Sequence, residues 1–274
     1  MAVIGYNAAA VNAAYYLNQN TNNLNEAIQE LSSGSRLADP SNDAAGVAVS
    51  GNMEAQISRL ASATQASQDV VSYAQTTDGF LSTIEQQLSR MSELAESSTN
   101  GAFGSSDITD YNTEFTDLVG QISNIFTNAD FDGANIFSGT NASAGITVAI
   151  DAAGHTDSLA ALTVTNLTDL GLTSGSTIST TTAAETMIGT LNTAIQSLTS
   201  SRAQVNADIS KFNFYVQNQE TESTNLQAAN SRIADVDVAT ESTALAQDNI
   251  LQQASTSMLA QANSSQSSLL MLLK

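Results

Sequence analysis

From residue 60 to 95 an apolar or small residue returns after three positions, then after four: Leu60, Ala63, Ser67, Val70, Ala74, Thr77, Leu81, Ile84, Leu88, Met91 and Ala95. Nine of these eleven are apolar. That alternation is the seam of a helix that packs along another helix over many turns. A second seam runs through Ile188, Leu191, Ile195, Leu198, Arg202, Val205, Ile209, Phe212 and Val216, turns polar at Gln219 and Ser223, and resumes at Leu226 and Ile233. Towards the N-terminus, Ala14, Leu17, Leu24, Ile28 and Leu31 make a shorter seam that stops at Gly34. Pro40 then marks a break before a new helix capped around Ser41–Asn42. Beyond Asp237 a last helix carries Leu245, Ile250, Leu251, Met258 and Leu259. It closes on Leu269, Leu270, Met271, Leu272 and Leu273, with Lys274 alone after them.

The centre has a different character. Residues 107–128 predict a third amphipathic helix through Tyr111, Phe115, Leu118, Val119, Ile122, Ile125 and Phe126. After it, ITVAID and LAALTVT predict two short strands around the turn AAGHTDS, and the stretch GLTSGSTISTTTAAE leads back to helix. Two long seams far apart in sequence bury themselves most simply against each other. The expected fold is mainly α: long coiled-coil helices from both termini form a rod, with a small β-hairpin insert.

Composition narrows the chemistry. Alanine supplies much of the 42% apolar share and aromatics only 5%, which suits thin helical seams rather than a thick core. With no Cys and one His (His155, in the predicted turn), thiolate chemistry is excluded and most His-based metal and acid–base sites fall away. The expectation is no catalytic residue, no metal and no cofactor. Seven basic residues stand against 27 acids, and the net charge of −20 argues against nucleic acid and anionic membranes as partners. No stretch of 18 apolar residues is present and the N-terminus lacks a Sec-type signal pattern.

At this level LSSGSRLADPSNDAAGVAVS (31–50) and NLQAANSRIADVDVATESTALAQDNILQQASTSMLAQANSS (225–265) resemble the terminal signatures of bacterial flagellins. QTTDGFLSTIEQQLSRMSELA (75–95) and NADFDGANIFSG (128–139) match the family as well. The resemblance covers roughly residues 1–140 and 183–274, in the family's order. It implies a terminal coiled-coil assembly domain (1–40 and 239–274), a helical rod domain with a β-turn segment (41–140 and 183–238), and a small variable insert (141–182). It also implies a structural subunit that self-polymerises into the flagellar filament for swimming motility, outside the cell, after unfolded export by the flagellar type III route. Its partners would be other copies of the chain, an export chaperone, the filament cap and the hook-junction proteins. In SRMSELAESS (89–98), Arg90, Glu93 and Leu94 match a surface motif that in many flagellins contacts the next subunit and is recognised by the innate immune receptor TLR5.

Charge and seams favour the same assembly. Residues 1–40 sum to −2 and residues 239–274 to −1, leaving −17 between them. Segments packed densely around an assembly axis need to be nearly neutral. The terminal residues expected to carry assembly are Leu17, Leu24, Leu31, Ile250, Leu251, Met258, Leu259, Leu269, Leu270, Leu272 and Leu273. An isolated helix of such length is marginal in water, so identical copies are the economical source of neighbours. The main alternative is a hook–filament junction protein. A secreted coiled-coil adhesin lacks a convincing ligand-binding head, and a zinc-protease motif of the H-E-x-x-H type is absent.

Overall fold

The computed structural model describes residues 6–272, excluding the side chains of residues 269–272. It contains six α-helices: α1 (Ala8–Ser33), α2 (Ala44–Thr99), α3 (Ser105–Asn128), α4 (Gly139–Ala144), α5 (Thr181–Ala234) and α6 (Val238–Leu272). Two antiparallel hairpins, β1 (Asp130–Phe131) with β2 (Ala134–Asn135) and β3 (Ile146–Ala149) with β4 (Thr156–Leu159), lie between α3 and α5. The fold is mainly α, as the periodicity predicts. Contacts group the chain into two units, residues 1–55 with 225–274 and residues 56–224.

In the central unit, all eleven seam positions read from residue 60 to 95 are buried. The opposing seam on α5 lies partly elsewhere. Leu191, Leu198, Val205, Phe212 and Gln219 are buried as expected, but the buried positions between them are Ala194, Ser201 and Asp208. Ile195, Arg202 and Ile209 stand one position along and, like Ile188 and Val216, are half-buried. Ala194 and Ser201 take the middle of this buried face, and larger neighbours cover its flank. The N-terminal seam shifts in the same way: Ala27 is buried while Ala14 and Ile28 are exposed.

Half-buried Arg202 locks α5 to α2. Its Nε and Nη2 donate to the two Asp78 carboxylate oxygens at 2.9 and 3.2 Å, and Nη1 donates to Glu85. These hydrogen bonds, that to Asp78 first, push the guanidinium further towards its charged form. The bidentate geometry is one that only Arg supplies.

Several loop details follow from single side chains. The helix after Pro40 is capped by Asp43, whose Oδ1 accepts the Gly46 N–H at 2.7 Å, and not by Ser41–Asn42. At the first hairpin, Asp132 (φ 52°) and Gly133 (φ 75°) form a two-residue turn with both φ positive, the type that matches strand twist. The second hairpin returns earlier than the pattern predicts, since β4 begins at Thr156 and residues 160–165 are irregular. Asp151 is the reason: its Oδ1 accepts the N–H groups of Ala153 and His155, both at 2.9 Å, and closes the turn within five residues. Gly145 (φ 81°) enters β3 so close to Leu159 that a Cβ would lie 2.1 Å from its carbonyl oxygen, and only glycine fits there.

A polar row on α5 holds this hairpin. Lys211 Nζ lies 3.2 Å from Asp208 Oδ1 and 3.3 Å from Asp157 Oδ2, and donates to the Ser158 carbonyl at 2.9 Å. Asp208 Oδ2 accepts the Ala160 N–H at 3.0 Å, Tyr215 donates to Asp157 at 2.7 Å, and Gln219 donates to the Ile150 carbonyl at 2.8 Å. Burial alone would lower the Lys211 ammonium, but its bonds to Asp208 and Asp157 outweigh burial and hold it above its ordinary range.

Candidate assembly surface

The terminal unit is built on α1 and α6, which run antiparallel. Asn7 Nδ2 donates to the Ala262 carbonyl at 2.9 Å, Asn20 Nδ2 to Ser255 Oγ at 2.9 Å, and Gln252 Nε2 to Thr21 Oγ1 at 3.5 Å. The shielded face of α1 carries Ala10, Ala13, Leu17, Asn20, Leu24, Ala27 and Leu31. That of α6 carries Leu245, Asp248, Gln252, Ser255, Leu259 and Ala262. The α6 face is mostly small or polar, so the pair is joined by hydrogen bonds and short side chains more than by an apolar seam. Burial, then the nearby Glu241 and Glu26 carboxylates, push the Glu30 carboxyl at the end of this face above its ordinary range.

At the closed end of the unit two quoted motifs meet. Arg36 N–H donates to the Ala234 carbonyl at 2.7 Å, and Val236 N–H to the Gly34 carbonyl at 3.1 Å, forming a short bridge between Ser35 and Asp235. Arg36 Nη2 adds a bond to the Ile233 carbonyl at 3.1 Å, placing a cation at the C-terminus of α5. Ser50 donates to Asn230 Oδ1 at 2.7 Å.

Four large apolar residues of α6 lie off the face it turns to α1. Ile250 is 67% exposed and Met258 64%, with Leu251 and Val238 also exposed. Of the terminal residues named from sequence, Leu17, Leu24, Leu31 and Leu259 therefore lie on the internal face, while Ile250, Leu251 and Met258 lie outside it. Leu273 and the side chains of Leu269, Leu270 and Leu272 lie outside the described residues. The sequence reading missed the outward aromatic residues here: Tyr6, just before α1, and Tyr15 and Tyr16 on it are exposed beside Val11, and the last two rings stack edge to face at 5.6 Å. The signal was present, because Val11 and Tyr15 are four apart, on a face distinct from the Leu17–Leu24–Leu31 heptads.

The second site divides. Arg90 Nε donates to Glu114 Oε1 at 2.8 Å, Nη2 to Glu114 Oε2 at 3.2 Å, and Nη1 to Glu93 Oε2 at 3.0 Å, all near the surface. These bonds, to Glu114 first, push the Arg90 guanidinium further towards its charged form. Leu94 does not join them. It is 2% exposed and belongs to the central core with Met91, Phe115 and Val119. The expectation that Leu94 faces outward is corrected: Tyr73, Phe80, Gln87 and Leu94 form a second heptad stripe beside the main one, and α2 therefore buries two faces. Leu94→Ala is expected to lower monomer stability by about 2–5 kcal/mol through the cavity it leaves. Arg90→Ala should leave the urea midpoint nearly unchanged. Equal midpoints for the two variants would return Leu94 to the surface.

Comparison with known proteins places these features. The model of the bacterial flagellin N-terminal helical region matches residues 4–142, and that of the C-terminal helical region matches residues 188–273. A flagellin of Halalkalibacterium halodurans is 34% identical, with 99% of this chain and 100% of that protein covered. A flagellar filament 30.7 kDa core protein of Treponema maltophilum is 32% identical, with 99% of each chain covered. The crystal structure of Bacillus cereus flagellin aligns with a TM-score of 0.50 at 28% identity, covering 61% of this chain and 94% of that one.

Proposed function

Because the chain belongs to the bacterial flagellin family, we propose a specific way in which it assembles. It is a structural subunit of the flagellar filament and self-polymerises; a hook–filament junction role is not favoured. No described helix is long and apolar enough to cross a membrane. We assign residues 1–40 and 239–274 to the assembly domain, 41–140 and 183–238 to the helical domain and 141–182 to the variable insert. The Ser35–Asp235 bridge, close to both boundaries, ties the end of the assembly domain to the end of the helical domain. Arg90, Glu93 and Glu114 are the proposed polar contact to a neighbouring subunit. The export chaperone, filament cap, hook-junction proteins and TLR5 are its proposed other partners, by family resemblance.

One observation carries the assembly reading: α6 meets α1 through a mostly small and polar face, and the two helices turn Tyr15, Ile250 and Met258 to solvent. Such residues gain about 1.5–3 kcal/mol each when another copy covers them. Opposing this, subunits of net charge −20 repel when packed side by side. The Debye length falls from about 30 Å at 0.01 M salt to about 3 Å at 1 M, so salt removes the repulsion without weakening apolar contacts. Polymerisation of purified monomer, followed by light scattering, should rise with salt and more steeply with sulfate than chloride. Assembly that salt inhibits would mean that ion pairs between subunits outweigh their repulsion.

A further inference from the structure

The connection between α2 and α3 joins an asparagine to a glycine in an exposed turn. The chain has a single Asn-Gly dipeptide, Asn100–Gly101, and it falls in this exposed connection, outside any helix or strand. Asn100 folds its side chain along the peptide that follows: its Oδ1 accepts the Ala102 N–H at 3.1 Å. Its carbonyl accepts the Phe103 N–H at 3.2 Å, which tightens the turn. A donor on Oδ1 draws electron density from Cγ, and the nearest backbone nucleophile is the Gly101 nitrogen, which has no side chain shielding it.

We propose that Asn100 deamidates through a succinimide faster than any other asparagine of the chain. The Gly101 nitrogen bonds to Asn100 Cγ as the bond from Cγ to the side-chain nitrogen breaks. That nitrogen leaves as ammonia, carrying the proton released by the Gly101 N–H. Water then opens the five-membered ring. Attack at the former side-chain carbonyl gives aspartate, and attack at the backbone carbonyl gives β-linked isoaspartate. Either product adds a carboxylate to a connection already flanked by Glu96 and Asp107. The β-linked product also lengthens the backbone by one carbon inside the turn closed by Phe103. The subunit thus acquires negative charge with age at a fixed point.

A structural reason makes the control clean. Gly101 has no positive φ that demands glycine, and an added Cβ would meet no heavy atom within 4 Å. Gly101→Ala therefore keeps the turn while the new methyl obstructs ring closure. Full-length protein is held at mildly alkaline pH and sampled over time by peptide mass spectrometry that separates the two aspartyl isomers. Asn100 should convert first, with the β-linked isomer in excess, and Gly101→Ala should slow it by about tenfold or more, the equivalent of a modest rise in the barrier. Asn100→Gln, whose longer side chain must close a six-membered ring, should also abolish rapid conversion. Faster conversion at another asparagine, or an unchanged rate at Asn100 in Gly101→Ala, would overturn the proposal.

Discussion

Ile250→Asp combined with Met258→Asp should stop polymerisation at concentrations where the wild-type chain assembles, while the monomer stays folded. Both side chains lie on the α6 face turned away from α1, so the monomer loses almost no buried area. In an assembly that covers them, the lost transfer energy is about 3–6 kcal/mol for the pair. That corresponds to a rise of roughly a hundredfold or more in the critical concentration, before the cost of placing two new carboxylates in the contact. Sedimentation of polymer against total concentration reads the threshold, and circular dichroism checks the monomer. Asn249→Asp, at an exposed polar position of the same helix, controls for added charge. An unchanged threshold in the double variant would remove α6 from the assembly surface.

The second large effect belongs to the central unit. Arg202→Ala should destabilise the monomer by about 2–3 kcal/mol, less than the roughly 3–5 kcal/mol of a fully buried pair because Arg202 and its partners are partly solvated. The variant leaves Asp78 and Glu85, two turns apart on α2, without a cation in a chain already rich in acid. Arg202→Lys should recover only part of the loss, since an ammonium cannot bind both Asp78 oxygens in one plane and still reach Glu85. Urea unfolding of monomer at low salt is the appropriate measurement. If both variants match wild type, α2 and α5 are held by their apolar seam alone.

What could be read from the sequence depended on side-chain size. The α2 seam was legible throughout because Leu60, Leu81, Ile84, Leu88 and Met91 mark it unambiguously. The α5 and α1 seams were only half legible, because Ala194, Ser201 and Ala27 occupy buried positions and carry little hydrophobic signal of their own. Asp208, Lys211 and Tyr215 carried no signal in the heptad pattern, yet with Gln219 they hold the second hairpin across 48 to 69 residues of chain. Nothing local in the sequence reveals such partners. The assembly residues were legible as apolar positions in need of neighbours, but periodicity alone did not sort Leu259, which faces α1, from Met258, which faces outward.

The small buried residues of α5 bear on how sequences of this fold can diverge. At Ala194 and Ser201, both buried, any larger side chain would overpack the interior, at a cost of about 1–3 kcal/mol. At Ile188, Ile195 and Ile209, half-buried on the flank, a change of volume meets solvent on one side and is absorbed. Mutational drift should therefore be faster at Ile188, Ile195 and Ile209 than at Ala194 and Ser201, the reverse of what side-chain size alone suggests.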